Sequence, residues 1–252
     1  SIVAIGAPYN DGNGTDSGHV KVYKNINDTW TQIGSDIEGE AAGDILGAAA
    51  ISISSDGSVV AIGATGNDGN GNGSGHVRIF KNVNDNWTQI GSDIDGEAAG
   101  DASGWGLSMS ADGSIVAISA YGNDGNGNSS GHVRIFKNVN DNWMQIGSDI
   151  YGEAAGYRSG QSVSLSADGS IVAIGAPGNT VSGNASGHVR LYKNVNDNWI
   201  QIGSDIDGEA AGDYSGHSVS LSADGSIVAI GAYGNDGNGI FSGHVRLYKN
   251  VN

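Results

Sequence analysis

Short apolar runs recur along the chain between polar, glycine-rich stretches, and none carries a 3.6-residue period over a helical length. Ser162-Val163-Ser164-Leu165-Ser166 alternates at period two, as a strand with one buried face does. Ile171-Val172-Ala173-Ile174-Gly175-Ala176 is apolar at successive positions, the pattern of a strand covered on both sides. His188 to Lys193 alternates again, with Val189 and Leu191 on one face. Trp199-Ile200-Gln201-Ile202-Gly203 completes a set of four. Small side chains suit the first segment to a crowded inner position, and the Trp-bearing fourth suits an outer edge. The pattern predicts an all-β protein.

This set repeats. Ser-Ile-Val-Ala-Ile-Gly-Ala, with small variations, begins at Ser1, Ser58, Ser114, Ser170 and Ser226, at spacings of 57, 56, 56 and 56. The copies from Ser58 and Ser114 agree at 44 of 56 positions, a closeness that fits recent duplication and weakens any argument from a residue all copies share. Ala167-Asp168-Gly169 is a tight turn in which Gly takes positive φ. Tyr121 to Gly131 is a Gly/Asn-rich loop, Asn194 to Asn198 a polar turn, and Ser204 to Gly216 a long acidic link between sheets. Tandem four-stranded antiparallel sheets of this length are the mark of a β-propeller. The expected organisation is one array of 4.5 repeats: a partial blade 1–43, blades at about 44–99, 100–155 and 156–211, and a partial blade 212–252. The chain starts inside a second strand and stops after a third at Asn252, so a slice of a longer array is expected, with strand edges open to a neighbour.

Composition narrows the classes. The 44 Gly have no every-third-residue period and there are only 2 Pro, which excludes collagen. Without Cys there is no disulfide framework and no thiolate zinc site. Eleven Lys and Arg against 27 Asp and Glu give a net charge of −16, which argues against nucleic acid and anionic lipid as partners. No apolar stretch is long enough for a spanning helix, so membrane insertion is not expected.

The run Ser159-Gly160 … Asp168-Gly169 … Ile174-Gly175-Ala176-Pro177 … Ser186-Gly187-His188-Val189-Arg190-Leu191-Tyr192 resembles the FG-GAP repeat, which builds the β-propeller of integrin α-subunits and of many microbial surface proteins. The likeness recurs in every unit. Gly-Ala-Pro stands at Gly6-Ala7-Pro8 and Gly175-Ala176-Pro177, but Thr65 and Tyr233 replace the Pro elsewhere, and Ser or Leu replaces the Phe of the name. The resemblance implies an extracellular or cell-surface protein. The family's calcium loop is shortened here to Ala111-Asp112-Gly113 and its equivalents, too few oxygens for calcium at that place.

Other oxygen-rich segments are candidate calcium sites. Asp68, Asn70 and Asn72 offer oxygens at alternate positions, as do Asp124, Asn126 and Asn128, whereas the copy at Asn179-Thr180-Val181-Ser182 drops the Asp. Asp93, Asp95 and Glu97 in the acidic link are a second candidate set. No cofactor is required, and calcium is the one the sequence could hold. His19, His76, His132, His188 and His244 each start the third strand of a different blade, so they ring the array and cannot share one metal. Gly127-Asn128-Ser129-Ser130-Gly131 satisfies a hydrolase pattern but sits in a β-β loop, without the strand-to-helix elbow that gives the motif meaning. The expectation is a chain that is not an enzyme. Asn72, Asn128 and Asn184 are equivalent glycosylation sequons on a loop tip. Trp30, Trp87, Trp143 and Trp199 are expected to pack between blades, whereas Tyr151, Tyr157, Tyr214 and Tyr233 vary between copies and suit an adaptable binding face.

These features favour a non-enzymatic extracellular structural or adhesion protein that self-associates through exposed blade edges into a filament or larger ring. The alternative is a lectin-like or calcium-dependent propeller module that binds glycans or surface proteins. An engineered consensus array would show the same near-identity of units.

Overall fold

The Asp-Gly turns show why each unit folds into an up-and-down sheet. At the turn after Ser166, Gly169 takes a φ of +69°, which costs a residue with a Cβ, and the chain reverses there. The Asp168 carboxylate holds the turn by accepting from the Ser166 hydroxyl at 2.6 Å and from the Ser170 amide at 3.0 Å. Ser110, Asp112 and Ser114 repeat the arrangement, so at the shortened calcium loop the carboxylate is engaged by hydroxyls and an amide of its own turn.

In a computed structural model that describes residues 1–249, the strands form five antiparallel sheets, with no helix among the described residues. Asn250 to Asn252, the end of the expected partial blade 212–252, lie outside them. The fourth sheet is representative. Ser162–Leu165, Ile171–Ala176, His188–Val195 and Asn198–Gln201 pair in chain order, each antiparallel to the next. The second strand is buried on both faces, as its unbroken apolar run predicts. The second sheet begins at Ile51–Ile53 and the third at Leu107–Met109. The first contains Ile2–Ala7, His19–Ile26 and Thr29–Gln32, and the fifth contains Ser218–Leu221, Ile227–Ala232 and His244–Lys249.

The acidic link departs from expectation. Within it, Ile206–Asp207 form a further short strand against His188 and Val189, beside the half of the third strand that the Trp-bearing strand leaves free. The reason is a single apolar residue in a polar stretch. Ile206, like the buried Ile37, Ile94 and Ile150 of the earlier units, turns into the hydrophobic layer next to it.

The core lies between consecutive sheets, not within one. Val20, Val22, Ile37 and Leu46 of the first meet Val60, Ile62, Ala64 and Phe80 of the second, and equivalent layers follow at the next junctions. Along the inner edge, the amides of Met109, Leu165 and Leu221 donate to the hydroxyls of Ser52, Ser108 and Ser164 in the preceding sheet. The turns are linked likewise, through Ser55 to Ala111, Ala111 to Ala167 and Ala167 to Ala223. Sheets packed face to face around a shared inner edge are the arrangement of a β-propeller.

The turn carboxylates give these links a pH dependence. The hydroxyl of Ser166 and the amide of Ser170 hold Asp168 below the ordinary carboxylate range, and the equivalent bonds bring Asp224 down to about 2. A carboxylate whose folded value is depressed adds stability above its unfolded value, and that stability is lost as pH falls through the folded value. The melting temperature should therefore drop on acidification from the ordinary carboxylate value of 3.8 toward about 2. Asp168→Ala should drop less over that interval, and an unchanged slope would remove the turn carboxylates as the cause.

Candidate functional site

Three of the four junctions between the described sheets carry one recurring cluster of titratable groups, and the fourth pairs His244 with Glu209. A His begins the third strand, an Asp lies 17 residues on, just before the short linker strand, and a Glu comes from the link that leads out of the preceding sheet. The groups are Glu40, His76 and Asp93; Glu97, His132 and Asp149; and Glu153, His188 and Asp205, with His19, Asp36 and Glu38 at the first sheet. At the last complete set, His188 Nδ1 lies 3.6 Å from Asp205 Oδ2, 4.0 Å from Glu153 Oε2 and 4.0 Å from Asp207 Oδ1. At the set before it, His132 Nδ1 lies 3.7 Å from Glu97 Oε2 and 3.8 Å from Asp149 Oδ2.

Around His188 each carboxylate is held by one oxygen only, whereas at His132 the Tyr151 hydroxyl also donates to Asp149 Oδ2. Gln201 Nε2 donates to Asp205 Oδ1 at 2.7 Å, leaving Oδ2 toward the imidazole, and Gln89 and Gln145 do the same for Asp93 and Asp149. The Arg190 guanidinium sits 3.4 Å from Glu153 Oε1, leaving Oε2 toward His188, as Arg78 and Arg134 do for Glu40 and Glu97. These arginines also donate to main-chain carbonyls of the preceding link, Glu38, Asp95 and Tyr151, and lie over the rings of Phe80, Phe136 and Tyr192. Burial, with the Arg190 guanidinium next, lowers His188 to about 4, and burial with Arg134 does the same for His132, so both imidazoles are neutral at pH 7.

Beside the cluster stands the Trp of the fourth strand. The indole N–H groups of Trp87, Trp143 and Trp199 donate to the carbonyls of Ile33, Ile90 and Ile146 in the preceding sheet, at 3.0, 3.1 and 3.0 Å. Trp87, Trp143 and Trp199 thus pack and bond between sheets, whereas Trp30, expected to do the same, is half exposed on the first sheet.

The sequence-derived candidates fall in different places. Asp68 accepts from the Gly73 amide within its loop, Asn70 donates its side-chain amide to the Gly96 carbonyl, and Asn72 is exposed with its carbonyl bonded to Gly100. The link residues Asp93, Asp95 and Glu97 divide between junctions, with Asp93 beside His76, Glu97 beside His132, and the Asp95 carbonyl bonded to Arg134. The side chains of Asn128 and Asn184, like Asn72, are exposed on the loop tip. The five His do lie apart, one to a sheet. Sequence reasoning missed that His76, His132 and His188 each meet acids from two sheets, although the constant interval of 17 residues from His to Asp was visible.

A second feature lies at one end of the array. A crevice of about 490 Å³ is lined by Arg158, Gln161, Asn184, Tyr214, His217 and Tyr233 among others. Tyr214 stacks on Tyr233 at 5.0 Å and His217 meets the same ring edge-on at 4.7 Å. These are the positions at which the near-identical units differ. Arg158 and Tyr214 stand where earlier units have Ile45 and Ala102, and all four hold positive φ, between +49° and +54°. Gln161 and His217 replace Ala48 and Trp105, and Tyr233 stands where other units have Thr65, Tyr121 and Pro177. Of the four tyrosines read as variable, Tyr214 and Tyr233 meet here, whereas Tyr151 and Tyr157 lie beside His132 and His188.

Comparison with known proteins bears on this geometry. No curated protein matches the chain. Among solved structures, the periplasmic gluconolactonase PpgL of Pseudomonas aeruginosa is similar over 99% of this chain and 68% of its own, at 15% identity and a TM-score of 0.53. This corrects the expectation of a chain that is not an enzyme. A protein of the same fold is a gluconolactonase, so the want of a nucleophile motif is no argument against catalysis on this architecture. No helix among the described residues is long and apolar enough to cross a membrane. Residues 206–248 match the FG-GAP repeat model, and the units before them carry nearly the same sequence, so the array is built of FG-GAP-like repeats.

Proposed function

We propose that this chain is an extracellular structural or adhesion protein whose copies add head to tail, the fifth sheet of one packing on the first sheet of the next. The observation that carries the reading is a pair of matching open faces. Val60 and Ile62 of the second sheet are 0% exposed beneath the first sheet, whereas their counterparts Val3 and Ile5 are 36% and 52% exposed. Val189 and Leu191 of the fourth sheet are 0% and 9% exposed, whereas Val245 and Leu247 are 69% and 73% exposed. The two faces are the two halves of a junction that the chain already makes between its own sheets. Exposed apolar surface of this kind marks an interaction site, and a heterologous contact of this type propagates into a ring or a fibre. In such an assembly the variable crevice is displayed many times over, the arrangement that multivalent adhesion requires. Glycans and surface proteins are the partners its aromatic, amide and guanidinium groups suit.

The test is sedimentation of the full chain over a range of concentrations. The expected result is growth of particle size with concentration. Ile5→Asp and Leu247→Asp should each sediment as monomers, and a mixture of the two should stop at dimers, because only one intact pair of faces remains. A wild-type chain that stays monomeric throughout overturns the proposal.

A further inference from the structure

The junction clusters have an unusual chemical feature. His188 Nδ1 and His132 Nδ1 are buried without a hydrogen-bond partner, on side chains only 1% exposed, and each points at carboxylate oxygens. At 3.6 Å or more from every carboxylate oxygen the nitrogen can neither donate to nor accept from a neighbour, and burial of an unsatisfied polar atom is costly. Surface carboxylates that merely solvate a link would not need one oxygen pinned. Here Gln201 and Arg190 each pin one oxygen of Asp205 and Glu153 and leave the other aimed at the same point. Second-layer partners that orient ligand atoms in this way are a general feature of built metal sites.

We propose that two sheet junctions each bind a divalent cation of the zinc class, held by His188 Nδ1, Asp205 Oδ2 and Glu153 Oε2 at one and by His132 Nδ1, Asp149 Oδ2 and Glu97 Oε2 at the other. Imidazole nitrogen with two carboxylates suits zinc, whereas calcium takes oxygen ligands alone. Tetrahedral ligands at about 2 Å from one centre lie about 3.3 Å from one another, so the His188 separations of 3.6 and 4.0 Å have to close by less than about 1 Å around the ion, through the partly exposed Asp205 and Glu153 side chains. Three protein ligands leave one position for water, or at His188 for Asp207, whose Oδ1 also lies 4.0 Å from the imidazole. The half-exposed Glu153 opens the site to solvent and gives the ion an entry. At His132 the Tyr151 hydroxyl donates to Asp149 Oδ2 at 2.9 Å, a bond the ion must displace, so that site is the weaker of the two. The ion would join Glu153, from the link leaving the third sheet, to His188 and Asp205 of the fourth, and so fasten neighbouring sheets.

The experiment uses the full chain after chelator treatment, titrated with Zn²⁺ in a calorimeter and with Co²⁺ by visible absorption. The expected result is uptake at the His188 and His132 trios, a Co²⁺ spectrum of low coordination number, and a melting temperature that rises with added Zn²⁺. His188→Gln should lower the stoichiometry by one. Glu153→Gln, a change at an exposed carboxylate that spares the core, should weaken one site at least about tenfold and keeps the test usable if the His variant does not fold. Absence of heat and of a Co²⁺ spectrum at millimolar metal overturns the proposal, as does a stoichiometry that neither variant changes.

Discussion

Trp143→Ala should lower the unfolding free energy by about 3 to 5 kcal/mol, read as a shift in the urea midpoint. The indole rests against Gly91 and the layer formed by Ile79, Ile90 and Ile94, and its N–H donates to the Ile90 carbonyl. Truncation opens a cavity between two sheets and leaves that carbonyl without its partner. Trp30 supplies the internal control. It occupies the same place in the first sheet, is half exposed, and donates no such bond among the described residues. Trp30→Ala should cost under about 1 kcal/mol. Equal costs at the two positions would show that the indole stabilises its own sheet instead of the junction.

Gly152→Ala should cost about 3 kcal/mol or more. A Cβ at Gly152 would fall on the carbonyl oxygen of Ser130, a backbone atom that cannot move aside, and Gly39, Gly96 and Gly208 meet Ser17, Ser74 and Ser186 in the same way. Close approach of two main chains, not backbone freedom, is what requires Gly there. Gly156→Ala separates the two causes. Nothing lies within 4 Å of its would-be Cβ, yet its φ is +78°. Its replacement should cost about 1 kcal/mol, the conformational cost alone. A thermal melt of both variants distinguishes crowding from φ preference, and equal losses would refute the clash at Gly152.

Much of the frame was legible because its signals are local. Period-two alternation at Ser162–Leu165, the doubly buried run at Ile171–Ala176 and the Asp168-Gly169 turn each lie within six residues, and each forms the element expected. The strand at Ile206–Asp207 was not legible, since two residues carry no periodicity and only the neighbouring sheet makes it a strand. The cluster at His188 escaped for a related reason. Its Glu lies 35 residues upstream and its Asp 17 downstream, so three weak signals meet only once two sheets pack. The crevice was half legible. Variation at Tyr214 and Tyr233 was visible in the repeats, but their contact with each other and with His217 depends on how the fourth and fifth sheets are set side by side.

The sameness of the junctions has a genetic consequence. Each sheet presents the same front face to its follower and the same back face to its predecessor, down to the Trp–carbonyl bond and the serine contacts of the inner edge. Recombination that inserts or deletes one unit would remove a junction and replace it with an equivalent one, leaving no mismatched surface behind. The number of units in such a gene can therefore drift between lineages without a folding penalty. Change is filtered instead at the crevice, where the units already differ.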